Sequence, residues 1–136
     1  MRPPCSIHKP EQGLTLVELI VVVALVGILL GVAVPSFSVY MIDAKRQDGT
    51  ALLSQTVLRL ERCFTLEGVY NGACALKTES DEGYYQLNAV RDSQSYTLSA
   101  IPVANKSQAN DSECATLSIT STGKKSATGP LGKRCW

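Results

Sequence analysis

From Leu14 to Val34 the chain reads LTLVELIVVVALVGILLGVAV, an apolar run in which only Thr15 and Glu18 are strongly polar. As a helix it rises roughly 31 Å, about one hydrocarbon thickness. No other stretch constrains the folding so strongly, because a run of that length reads as a membrane-spanning helix. The residues before it, MRPPCSIHKPEQG, are polar, hold three prolines and carry Arg2 and Lys9. Positive charge favours the cytoplasmic side, so the remainder of the chain is expected outside the inner face. The carboxylate is the anomaly, since an unpaired one costs a few kcal/mol in hydrocarbon.

Three readings of the junction compete. A signal peptide cut near Ala33 has too long an apolar run and the wrong residue at position 18. A plain signal anchor leaves Glu18 as a defect. A cut on the cytoplasmic side, between Gly13 and Leu14, explains both the glycine that stands ahead of the apolar run and the carboxylate within it: it removes the basic leader and frees an α-amine at Leu14. The string GLTLVELIVVVALVGIL closely resembles the class III leader junction of type IV pilins and related pseudopilins. That resemblance implies cleavage after Gly13 and N-methylation of Leu14 by a membrane-embedded prepilin peptidase. The first mature residue is usually phenylalanine; Leu14 departs from this while keeping a bulky apolar side chain. The resemblance also implies that Glu18 sets the assembly register by pairing with the N-terminal amine of a neighbouring subunit. Glu18 snorkelling to the headgroups is the plainer alternative.

Gly27 and Gly31 form a G-x-x-x-G that lets helices approach closely, and Pro35 removes a helical hydrogen bond and disfavours helix at Val34. The stretch is therefore a weak point. The resemblance implies local melting there within a filament, against the alternative of a static kink. Beyond it, Leu53, Val57, Leu60 and Phe64 recur at spacings of four, three and four, which marks one helical face. One helix from about 15 to 65 is expected. The segment 66–82 reads as a loop, with Asn71-Gly72 as a turn signal. Its acidic residues Glu79, Asp81 and Glu82 match no calcium-loop spacing and read as solvated.

From residue 84 the period shifts towards two. Residues 84–90, 95–101 and 115–121 alternate and are rich in Tyr, Thr, Ile and Leu, with 92–94 as a hairpin turn between the first two. Residues 104–113 read as a polar loop, and a short fourth strand is expected at 126–128. The expected fold class is α+β: a long N-terminal helix with its hydrophobic half protruding, packed on a small antiparallel sheet. The order of the C-terminal half resembles that of PilE-type minor pilins of type IVa pili. The expected organisation is a leader at 1–13, a transmembrane or filament-core helix at 14–35, an amphipathic continuation at 36–65, and loop plus sheet at 66–136.

Cys5 falls in the leader, leaving Cys63, Cys74, Cys114 and Cys135. An even count in a small exported domain implies disulfides. Three pairings are open, and the sequence-near set, Cys63–Cys74 and Cys114–Cys135, is the expected one; the second would bound a C-terminal loop, as in pilins. Wide spacings and the absence of C-x-x-C argue against a Cys₄ zinc site. The single histidine is His8, also in the leader. A mature chain without histidine excludes Ser-His-Asp and Cys-His catalysis and His-ligated metal. No catalytic residue, metal or cofactor is therefore expected, and the chain is read as not an enzyme.

Without residues 1–13 the chain has 11 basic and 11 acidic side chains, a balance that argues against a wholly electrostatic binder. A local basic group remains: Lys124, Lys125, Lys133 and Arg134, with Trp136 adjacent, are candidate DNA contacts. The leading expectation is a structural subunit of a type IV pilus, a minor pilin serving pilus assembly and hence twitching motility, adhesion or DNA uptake. A DNA-receptor pilin for natural transformation and a type II secretion pseudopilin are the alternatives. Implied partners are other pilin subunits, the prepilin peptidase, and the inner membrane with its pilus assembly machinery, with DNA as a candidate. Implied locations are the inner membrane before assembly, single-pass with a periplasmic C-terminal domain, and the extracellular pilus after it.

Overall fold

The molecule is described by a computed structural model that covers Gly13 and residues 15–136, with the side chains of 34–36 left out. One helix, α1, runs from Leu16 to Glu67. It starts where Thr15 accepts the Glu18 N–H on its hydroxyl at 3.3 Å. Thr15-x-x-Glu18 has the spacing of a capping box, in which a hydroxyl satisfies a helix donor that has no partner within the helix. It ends where Gly68 takes a left-handed conformation, φ 73°, and closes a backbone bond to the Phe64 carbonyl at 2.8 Å. The end lies two residues beyond the expected 65, because Leu66 and Glu67 are ordinary helix formers and Gly68 is the first residue suited to the cap.

The chain divides into two units, Met1–Phe37 and Ser38–Trp136. In the first, every described side chain from Leu16 to Ala33 is exposed. α1 is the one helix among the described residues long and apolar enough to cross a membrane. Positions 27, 31 and 35 all lie within it.

The second unit holds a four-stranded antiparallel sheet, β1 Tyr85–Arg91, β2 Tyr96–Pro102, β3 Leu117–Thr120 and β4 Lys125–Ala127. The strands lie in sequence order. Pairing runs Leu87 with Ala100, Leu98 with Ile119, and Leu117 with Ala127. The strands sit within one or two residues of their expected positions. Tyr96, Leu98 and Ala100 of β2 and Leu117 and Ile119 of β3 form the sheet's share of the core, and Leu52, Leu53 and Leu60 form the share of α1. Of the expected helical stripe, Leu53 and Leu60 are fully buried, while Val57 and Phe64 pack against the core partly exposed. Gly49 extends the stripe by one turn: its missing side chain lets the Tyr85 ring approach, and a Cβ there would lie 3.0 Å from it.

The segment 104–113 departs from the polar loop expected of it. It contains a 3-10 turn, Ser107–Asn110, and buries Gln108 and Asp111. The partner is Arg46 on α1, whose guanidinium grips Asp111 with two bonds of 2.6 and 2.8 Å and also contacts Asp43 and Glu113. Burial works to raise the Asp111 carboxyl. The Arg46 bond and the Cys114 and Glu113 N–H groups outweigh it and hold the carboxyl below its ordinary range. This pair ties the chain just ahead of Cys114 to the helix.

A second polar anchor lies further along α1. Glu61 accepts the Tyr96 hydroxyl at 3.0 Å and the Tyr70 hydroxyl at 3.1 Å. Tyr70 stacks on Phe64 at 4.3 Å and meets Tyr96 edge-on at 4.9 Å. Burial first, and then Glu61, push both phenols above their ordinary range. Burial also raises the Tyr85 phenol to about 12.

Candidate nucleic-acid interface

The four cysteines outside the leader are joined as Cys63–Cys74 and Cys114–Cys135. The second disulfide bounds a loop that contains β3, β4 and the turn between them. After β4 the chain folds back in a 3-10 turn, Gly132–Cys135, which packs alongside β4. The loop closes tightly at Gly129, where a Cβ would collide with the backbone carbonyl of Glu113. Glu113 also receives the Leu131 N–H at 3.2 Å.

This fold-back gathers the basic residues. Lys124 sits in the β3–β4 turn, Lys125 opens β4, and Lys133 and Arg134 lie in the 3-10 turn; all four are exposed. Lys125 places its ammonium 4.9 Å from the centre of the Trp136 ring, within the range of a cation–π contact. The Trp136 indole N–H donates to the Ser126 carbonyl on β4 at 2.9 Å, which fixes the ring against the strand. Among the described residues, no ion pair engages any of the four cations.

The other basic side chains of this unit are more often committed. Arg46 is held by three carboxylates, and Lys77 by Asp81 at 2.6 Å. Lys45 reaches Ser107 at 2.8 Å, and Arg91 the Tyr70 carbonyl at 3.2 Å. Unpaired exposed cations beside an aromatic ring are a chemical fit for a polyanion, which gains from each phosphate neutralised.

The remaining sequence-predicted positions fall elsewhere. Gly13 is exposed, and Glu18 is exposed in the first turn of α1. Leu14, named for cleavage and methylation, lies outside the described residues. At Gly27 and Gly31 an added Cβ would meet nothing within 4 Å. Two groups escaped the sequence reading. The Arg46–Asp111 pair joins residues 65 apart, with no local spacing to reveal it. The Thr15 cap was legible from its T-x-x-E signature.

Two family models match the chain. The model described as "Prokaryotic N-terminal methylation motif" covers residues 8–34. The model described as "Type IV minor pilin ComP, DNA uptake sequence receptor" covers residues 35–118. Curated relatives include a type IV major fimbrial protein FimA of Dichelobacter nodosus, 28% identical over 104 residues, covering 71% of this chain and 62% of that protein. A fimbrial protein of the same organism is 26% identical over 132 residues, covering 90% of this chain and 74% of its own length. The chain thus spans less than two thirds of the first of these relatives. Among solved structures, the non-core minor pilin PilV of Neisseria meningitidis matches with a TM-score of 0.56 at 17% identity, over 66% of this chain and 89% of that one. That likeness concerns the fold.

Proposed function

Because the chain belongs to the type IV minor pilin family of the ComP model, we propose that it is a filament subunit that binds duplex DNA on its C-terminal disulfide-bounded loop. The prepilin peptidase cuts after Gly13, and the new amine of Leu14 is methylated. The apolar part of α1 holds the periplasmic domain at the inner membrane until it enters the filament core. There Glu18 pairs with the terminal amine of a neighbour, since a buried carboxylate is tolerated only when its charge is met. The family is one of filament subunits, and the role proposed for this chain is structural and binding.

The observation that supports DNA binding is the packing of the 3-10 turn of Lys133 and Arg134 against β4, beside which Lys125 lies over the Trp136 ring and Lys124 is exposed in the adjoining turn. The ComP match ends at residue 118, ahead of these cations, so their role rests on the local geometry. Titration of residues 38–136 with duplex DNA across a salt series tests it. If all four contact phosphates, log affinity falls against log salt with a slope of about −3.6, and each cation replaced by alanine reduces that slope by about 0.9. Absence of binding at low salt, or a slope unmoved by the four replacements, overturns the assignment.

A further inference from the structure

A second uncommitted basic site lies on α1. Leu58, Arg59 and Arg62 on the helix and Leu76 and Lys77 on the following loop line a groove of about 260 Å³. The Cys63–Cys74 disulfide ties that loop to the helix, and Cys74 Sγ lies 3.8 Å from the Arg59 carbonyl. The two walls are thus held together covalently, so the groove is built before anything enters it. Leu58 is 60% exposed despite its apolar side chain. Arg59 and Arg62 are exposed and, among the described residues, take part in no ion pair.

We propose that this groove seats an acidic segment of a neighbouring filament subunit, with a carboxylate between Arg59 and Arg62 and an adjacent apolar side chain on Leu58 and Leu76. The chain itself shows the chemistry in part. Asp81 places a carboxylate against Lys77 at 2.6 Å. Lys77 first, and then Gln55, which also lines the groove, hold that carboxyl below its ordinary range. Lys77 is satisfied within the chain, and the arginine pair is left for a carboxylate from outside. A duplex is a poorer occupant, because it is too wide to enter a recess of this size and has no apolar element to cover the two leucines. An acidic peptide segment answers both the charge and the apolar walls, as paired surfaces do at subunit contacts.

The proposal rests on the filament reading, and photo-crosslinking of the full chain in cells separates the two. With p-benzoylphenylalanine in place of Leu58, an adduct to another pilin subunit is expected, mapping by mass spectrometry to an acidic stretch. In the Arg59→Glu/Arg62→Glu background that adduct falls about tenfold, the factor produced by about 1.4 kcal/mol of lost complementarity. Arg59→Lys/Arg62→Lys retains most of it, which distinguishes lost charge from lost folding, and duplex DNA affinity is unchanged in both. A control probe in place of Leu29, a large apolar residue exposed on the same stretch of α1, reports helix packing in the filament. A Leu29 adduct without a Leu58 adduct overturns the groove and leaves the filament reading standing. Absence of both overturns the filament reading and the groove with it. A Leu58 adduct to DNA, or one indifferent to charge reversal, also overturns the proposal.

Discussion

The two stretches of α1 are equally helical and meet different partners. From Leu16 to Ala33 the side chains other than Glu18 are apolar on all sides and every one is exposed. From Gly49 to Leu60 the helix is striped, with Gly49, Leu52, Leu53, Thr56 and Leu60 buried and Ala51, Ser54, Gln55, Leu58 and Arg59 exposed. A stripe can be satisfied by one sheet, whereas an all-round apolar surface needs an apolar solvent or a bundle of like helices. Hydrophobicity alone therefore does not say where a helix belongs; its distribution around the axis does. Glu18 fits the same contrast. Glu61 accepts two tyrosine hydroxyls within its own chain. Glu18 lies on a surface that the filament reading buries only on assembly.

The largest effect that would sharpen this contrast is on assembly. Glu18→Ala is expected to leave leader cleavage intact while lowering recovery in purified filaments by at least about tenfold, in line with a charge term of a few kcal/mol at depth. Quantitative immunoblotting of sheared pili against whole cells measures it. Equal incorporation would remove Glu18 from the assembly account.

Next comes the packing of the stripe. Leu60→Ala should destabilise the domain by about 2–5 kcal/mol in denaturant unfolding, whereas Leu25→Ala should change the same transition by less than about 0.5 kcal/mol. Equal losses would mean that the first stretch has a partner within the chain.

The smallest effect concerns pH. The Asp111 carboxyl titrates below its ordinary range in the folded chain, so near pH 4 and below the unfolded state binds more protons than the folded one. Stability from this group is present above the unfolded value of about 3.9 and is lost as the pH falls through the folded one. Thermal melts should therefore show an acid-side loss that Asp111→Asn flattens, at the cost of a lower melting temperature at pH 7. An unchanged acid limb in that variant would remove the pair from the account.

These outcomes bear on what could be read in advance. Leu53 and Leu60 were legible because leucines at helical spacing report burial directly. Gly49 and Thr56 were not, because neither is apolar in a sense that a pattern registers. Gly49 is buried by the approach of Tyr85, and Thr56 by returning its hydroxyl to the Leu52 carbonyl at 2.7 Å. The strands were visible in their alternation, but their ends were set by cross-strand partners. Gln108 and Asp111 lie in a run that looks solvated, and their burial depends on α1 residues more than sixty positions away, the Ile42 carbonyl for Gln108 and the Arg46 guanidinium for Asp111. For the basic cluster, the residue types and the bounding cysteines were readable. That the two elements carrying these residues meet required the contact between β4 and the final 3-10 turn.

The central claim is that cleavage after Gly13 frees the amine at Leu14 that Glu18 meets in a neighbour, and intact mass spectrometry with N-terminal fragmentation of the chain recovered from purified filaments tests it most directly. The account predicts a polypeptide that begins at Leu14, carries one methyl group on its amine and retains two disulfides. A chain that keeps residues 1–13, or one that begins beyond Ala33, would contradict it.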